Sequence, residues 1–283
     1  MLFNSTDITL WENVLAHYPK ALQHHVANKK DDSLLNLDQW YQTTLPEILT
    51  TRQPKYIDSK ELCQLMSWKL KASKFRPSLA KLAASNADTD VKNISQEAFK
   101  LVPSNLKAAI TKIAELKGVG PATASAILCA GAPDSVPFMA DETMDSVPGL
   151  GTIAYTIPYY LKFAAKVIEK ANELKTKGSK TVNSPHLVEK ALWTDYMMKK
   201  YGIEEKTTGP KDTSSTADKV DVNVSVESET KANSKETGSA KRKASESTKR
   251  GSSHEKQPIT EKKAKTITGP TSSISTRSTR SRA

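Results

Sequence analysis

The chain has 283 residues, 37% of them hydrophobic, with 42 Lys+Arg against 31 Asp+Glu and a formal net charge of +11. That apolar share suits one folded domain but not a domain filling the whole length, and no run of about 18 apolar residues predicts a membrane span. The first residues lack the pattern of a secretory leader, and Cys63 and Cys129 are too few for a disulfide scaffold or a four-cysteine metal cluster, so a reducing, intracellular setting is expected.

The elements expected up to residue 203 are all helical. Ile8, Trp11, Val14, Leu15, Tyr18 and Leu22 recur at helical spacing, and Pro19 is expected to kink or split the pattern. A second pattern through Leu37, Trp40, Tyr41 and Leu45 is expected to stop at Pro46. A third, from Ser59 to about Ala72, carries overlapping apolar stripes and predicts burial on more than one face. Arg76-Pro77 starts another helix, and Ser95 to Leu101 gives a short one. Ser104 is the expected cap of a helix through Leu106, Ile110, Ile113 and Leu116, and Pro121 opens the next. A long pattern from Ile153 to Leu174 is interrupted at Pro158, and Ser184-Pro185 caps and starts the last helix. No strand pair is evident, so the fold class is all-α.

Beyond residue 203 the composition breaks. Residues 206–283 contain no Phe, Trp, Tyr or Leu and are predicted to be a disordered Ser/Thr/Lys-rich tail, because such a stretch cannot offset its ordering entropy by burial. The division is therefore a helical domain at 1–203 and a tail at 204–283. The last 43 residues hold 12 Lys/Arg against 3 acids. Lys241-Arg242-Lys243 and Lys262-Lys263-Ala264-Lys265 are spaced basic clusters of the kind an import receptor recognises, so a nuclear location is expected.

The most informative stretch runs from Leu106 to Glu142. A helix ends, Lys117-Gly118-Val119-Gly120 makes a tight turn, and Pro121 starts a new helix at once. Two glycines permit positive φ and close backbone approach, and Val119 can pin the turn to the core. The start of the second helix presents free N–H groups, an anion site suited to a backbone phosphate near Gly118, Gly120 and Ala122, with Lys117 and Thr123 beside it. Such contacts read backbone, not base sequence.

This pattern, at about 104–131, resembles the helix-hairpin-helix motif of DNA-repair proteins. The resemblance extends to the helix-hairpin-helix DNA glycosylase superfamily, which includes endonuclease III-like enzymes. It implies DNA as partner and a catalytic aspartate after the hairpin, at Asp141 in VPFMADE, where a carboxylate stabilises positive charge on the sugar as the base departs. Bifunctional members carry a lysine where this chain has Ala122, and iron–sulfur members carry a cysteine cluster that is absent. The resemblance thus implies monofunctional base excision without lyase chemistry or cofactor. Ala140-Asp141-Glu142 departs from the usual Val-Asp-Thr, and the plain alternative for Asp141 is a helix N-cap. The alternatives to an enzyme are a non-catalytic nucleic-acid-binding module and a nuclear protein-interaction scaffold.

Lys69, Lys71, Lys74 and Arg76 form a second candidate phosphate strip, with Trp68 and Phe75 interleaved. Tyr155, Tyr159 and Tyr160 are candidates for a base pocket or for helix packing. His17, His24 and His25 are too sparsely accompanied for a metal site, and none is expected. His186 is expected to be exposed. Glu189 and Trp193 share a helical face, with Trp193 in the core and Glu189 beside a basic group. The sequence leaves the oligomeric state, the base recognised and the choice between DNA and RNA open.

Overall fold

A computed structural model describes residues 1–73 and 76–203. They are all-helical: no strand occurs among the described residues. After a short 3-10 turn at Leu2–Asn4 come α1 (Ile8–Ala16), α2 (Tyr18–Lys29), α3 (Ser33–Gln39) and α4 (Leu45–Thr51). Then follow α5 (Ser59–Ala72), α6 (Pro77–Ala84), α7 (Asp88–Lys100) and α8 (Leu106–Ile113). The set closes with α9 (Pro121–Gly131), α10 (Asp141–Asp145), α11 (Ile157–Thr176) and α12 (Pro185–Tyr201).

Helix α9 is the hub. Every residue from Ala122 to Gly131 is buried, as a helix apolar on all sides must be. Its small side chains let α4, α5, α8 and α11 pack on it. Gly131 is one place where a side chain is excluded: a Cβ there would lie 2.4 Å from the Phe99 ring. The N-terminal helices α1 and α2 pack on α12. Glu12 strengthens that packing by accepting hydrogen bonds from the Ser179 hydroxyl and the Lys180 and Thr181 N–H groups.

Several boundaries differ from the sequence expectation. Pro19 does split the first pattern, between α1 and α2. Pro46 does not end the second. A π segment at Trp40–Thr44 lets the Leu45 N–H reach the Trp40 carbonyl, and Pro46 then sits in the first turn of α4, where its missing N–H costs little. Helix α5 spans the predicted range, with a reciprocal Asp58–Glu61 capping box. Helix α7 begins at Asp88, well before Ser95, supported by the Asp88–Lys92 pair one turn apart. Asn105, not Ser104, caps α8 through the Ala108 N–H. Pro158 lies in the first turn of α11 and so starts the helix instead of interrupting it. The tail and its basic clusters, together with Lys74 and Phe75, fall outside the described residues.

Candidate functional site

The segment between α8 and α9 is a tight turn, as its glycines predict. Gly118 has φ +76, a conformation that disfavours any side chain. A Cβ on it would also lie 2.8 Å from the Leu82 Cβ and 2.9 Å from backbone atoms of Ala83 and Leu79, so the turn is pressed onto α6. Asn86 clasps the turn from outside. Its Oδ1 accepts from the Lys117 N–H at 2.9 Å, and its Nδ2 donates to the Lys117 carbonyl at 3.0 Å. The same Nδ2 also donates to the Ala83 and Leu82 carbonyls at the end of α6. Asn86→Ala is therefore expected to cost about 1–3 kcal/mol, read as a lower denaturation midpoint with faster exchange of the Lys117 amide.

Val119 is buried, as expected of a pin, while Lys117 and Gly120 are exposed. Thr123 is a correction: it is buried, so its side chain is not offered to a phosphate. Its N–H and that of Ala124 both donate to the Gly120 carbonyl. Ala122 is buried too, leaving backbone alone to meet an anion there. Gly120 has an ordinary extended conformation, φ −97 and ψ −178, with nothing near its Cβ position.

The chain after α9 is bound to α9, α11 and α12. Ser125 Oγ accepts the Met139 N–H at 3.0 Å, Tyr160 donates to the Pro137 carbonyl at 3.1 Å, and the Thr143 hydroxyl donates to Glu189 at 3.3 Å. These bonds fix the position of Asp141. Ala140 holds the N-cap of α10, and Asp141 is its first residue without a capping bond. The plain N-cap alternative is therefore not what this carboxylate does. It accepts a 2.7 Å hydrogen bond from the Tyr155 hydroxyl and lines the rim of a cavity. Tyr155 is exposed, whereas Tyr159 and Tyr160 are buried in the packing of α11. Burial and then Asp141 push the Tyr155 phenol up to about 12.

The cavity is the unforeseen feature. It is a small cavity open to solvent, gathered by α2, α3, the π segment, α5, the 138–142 segment and α12. Tyr18, Tyr41, Trp68, Phe138 and Trp193 supply aromatic walls. Tyr41 and Trp68 stack with ring centroids 3.6 Å apart, and Phe138 lies 5.4 Å from Trp68. On the polar side, both Asp38 oxygens accept from Tyr18 Oη, at 2.8 and 2.9 Å, and one also accepts from Trp68 Nε1 at 3.1 Å. Gln42 joins the network by donating to Tyr18 Oη at 3.3 Å. Sequence reasoning passed over Asp38. The available signal was an acid in the apolar row Leu34, Asp38, Tyr41, Leu45, which predicts a buried carboxylate.

His186 is a second correction. It is not exposed: its side chain is 15% accessible. Nδ1 lies 3.3 Å from both Cys129 Sγ and Glu189 Oε2, and Nε2 lies 2.9 Å from Gln42 Oε1. Burial alone would lower this imidazole, but Cys129 and Glu189 outweigh it and hold it at about 10, above the ordinary 6.5. A raised histidine stabilises the fold while it is protonated. Its contribution is complete below about pH 6.5 and is lost as pH rises through about 10. His186→Gln is therefore expected to flatten the fall of Tm between those pH values; Tm curves parallel to the parent would remove His186 as the cause.

The described residues of the basic strip, Lys69, Lys71 and Arg76, do not form one row. Lys69 is half-buried in the cavity, where desolvation lowers it, Asp141 opposes and Arg76 adds to the lowering. Lys71 instead pairs with Asp31 and donates to Ser33. The two lysines are two positions apart on α5 and so diverge. Arg76 is exposed and lies 5.7 Å over the Tyr155 ring, at the rim near Asp141. Lys74 lies outside the described residues. Cys129 is buried and Cys63 half-buried. Glu189 meets the basic partner expected of it in His186, and Trp193, half-buried, lines the cavity as well as packing on the core. No cluster of three metal-binding side chains occurs among the described residues.

No protein-family model matches the chain, and no curated protein or solved structure is similar enough to count as a match.

Proposed function

We propose that the chain is a DNA-binding protein on a helix-hairpin-helix scaffold like that of the DNA glycosylases, and that it excises a base by monofunctional hydrolysis. The observation that carries this reading is Asp141 at the rim of an aromatic cavity that follows the α8–α9 turn in the chain. A base rotated out of a duplex needs aromatic faces to replace its lost stacking. A carboxylate beside the sugar then stabilises the positive charge that develops as the glycosidic bond breaks. In this reading the N–H groups around Gly118, Gly120 and Ala122 hold a backbone phosphate, assisted by the exposed Lys117. Arg76 and Lys69 meet the sugar-phosphate near Asp141. With Ala122 at the lyase position, the product is an abasic site on an intact strand.

The test incubates the full chain with duplexes bearing damaged or mismatched bases. Release of free base without strand cleavage is expected. Duplex binding with no base released from any substrate would leave a binding module, and no binding at all would overturn the reading. Nuclear targeting through Lys241, Arg242, Lys243, Lys262, Lys263 and Lys265 is proposed from the sequence alone. It is tested by following a chain truncated at residue 205 in cells.

A further inference from the structure

The segment that carries Asp141 brings a second carboxylate into the same cavity. Glu142 follows Asp141 directly and lines the wall beside it. The family that the chain resembles usually has threonine there, so the resemblance gives Glu142 no role. The two carboxylates meet different surroundings. Asp141 accepts the Tyr155 hydroxyl at 2.7 Å, with Arg76 over the Tyr155 ring and Lys69 close by. A donated hydrogen bond and nearby cations favour the charged form of a carboxylate. Glu142 is half-buried, and among the described residues no Lys, Arg or His nitrogen comes within 4.0 Å of its carboxyl. Lys200 of α12 and Lys29 of α2 act on it from farther off, and Lys29 already donates to the Ser73 carbonyl. Burial raises the Glu142 carboxyl above its ordinary 4.5, its own N–H lowers it, and Asp141 raises it again against those two lysines. Tyr196 and Tyr201 of α12 also face it, and burial holds their phenols up. His25 of α2 shares the cavity, and burial holds its imidazole down. These three are therefore neutral near pH 7. Adjacent carboxyls whose surroundings favour opposite protonation states suit one to donate a proton and the other to face a cation.

We propose that Glu142 is the general acid of the base-excision reaction, protonating a neutral purine as it leaves while Asp141 faces the sugar. The proposal deepens the base-excision reading and rests on it. The carboxyl proton of Glu142 passes to a ring nitrogen of the purine. The C1′–N9 bond breaks, and its electron pair stays with the base. The positive charge left on the sugar is stabilised by Asp141. A water adds to C1′, and the proton it loses restores the Glu142 carboxyl.

The test follows single-turnover release from two duplexes with the full chain. One bears deoxyinosine, whose hypoxanthine needs a proton to leave as a neutral purine. The other bears 7-methyldeoxyguanosine, whose ring already carries the charge that a proton would supply. In the parent, hypoxanthine release is expected to slow as pH rises from about 5 to 8, and 7-methylguanine release to stay nearly flat. Glu142→Gln is expected to slow hypoxanthine release about a hundredfold or more at neutral pH and to abolish its pH dependence, with 7-methylguanine release within about threefold of the parent. Glu142→Asp, which keeps an acid at shorter reach, is expected to recover roughly tenfold of the loss. A purely structural role would slow both substrates alike, and that outcome would overturn the proposal. A flat hypoxanthine profile in the parent would also overturn it, and this arm decides the matter even if Glu142→Gln fails to fold. The two readings fail separately. A parent that releases bases but not hypoxanthine sinks this inference and leaves base excision standing, whereas release of no base from any duplex sinks both.

Discussion

Asp141→Asn is expected to lower single-turnover base release by about a hundred- to a thousandfold, the usual cost of removing one electrostatic group from a developing charge. Duplex affinity should stay within a few-fold of the parent, or rise slightly as a negative charge leaves the rim proposed to face DNA. The substitution is suited to isolating chemistry from folding. Asp141 makes no N-cap bond, and its side-chain hydrogen-bond partner among the described residues, the Tyr155 hydroxyl at 2.7 Å, can donate equally to an asparagine oxygen. Stability should therefore move by no more than about 0.5 kcal/mol. Rate and affinity are measured on one duplex, and Tm on the free protein. Base release that survives the change would take the chemistry away from Asp141.

The second large effect concerns the turn. Gly118→Ala is expected to destabilise the domain by about 2–4 kcal/mol, combining the left-handed backbone penalty with overpacking. In a domain of this size that corresponds to a Tm lower by roughly 5–15 °C. The overpacking is severe because the nearest neighbours are α6 backbone atoms and a Cβ, none of which can rotate away. Loss of DNA binding in that variant would thus say nothing about phosphate. Gly120 is the informative position, since it is exposed, has ordinary backbone angles and has open space at its Cβ. Gly120→Ala should leave Tm within about 1 °C, consistent with a small surface change. Gly120→Asp, which sets a negative charge where the phosphate is proposed to sit, should weaken duplex binding at least tenfold at low salt with Tm little changed. Unchanged binding by Gly120→Asp would remove the turn from the DNA interface.

Much of the helical framework was legible. Helix α5 and the starts of α6, α9 and α12 fall where capping residues and prolines predict them. What misled was reading proline as a stop. Pro46 and Pro158 sit in first turns, where no N–H is required, and the π segment that permits the first of these leaves no mark in apolar spacing. Single residues misled similarly. His186 looked exposed because it follows Pro185 in a first turn, yet α12 places that turn against α9 and the π segment. The basic run at 69–76 reads as one strip in sequence, but positions two apart on a helix face different ways, and here one enters the cavity and the next pairs with Asp31.

By itself, the sequence determined the helical class, the tight glycine turn and the place of Asp141 after it. All of these depend on local rules: propensity, capping, backbone sterics and short spacing. The tertiary structure alone decided that Asp141 stands at a cavity, that Asp38 lies buried there on the Tyr18 hydroxyl and the Trp68 indole, and that Lys69 and Lys71 part company. The cavity takes walls from residues as distant as Tyr18 and Trp193. Their meeting depends on how α2, α5 and α12 pack together, and no local pattern along the chain encodes which faces will share a space.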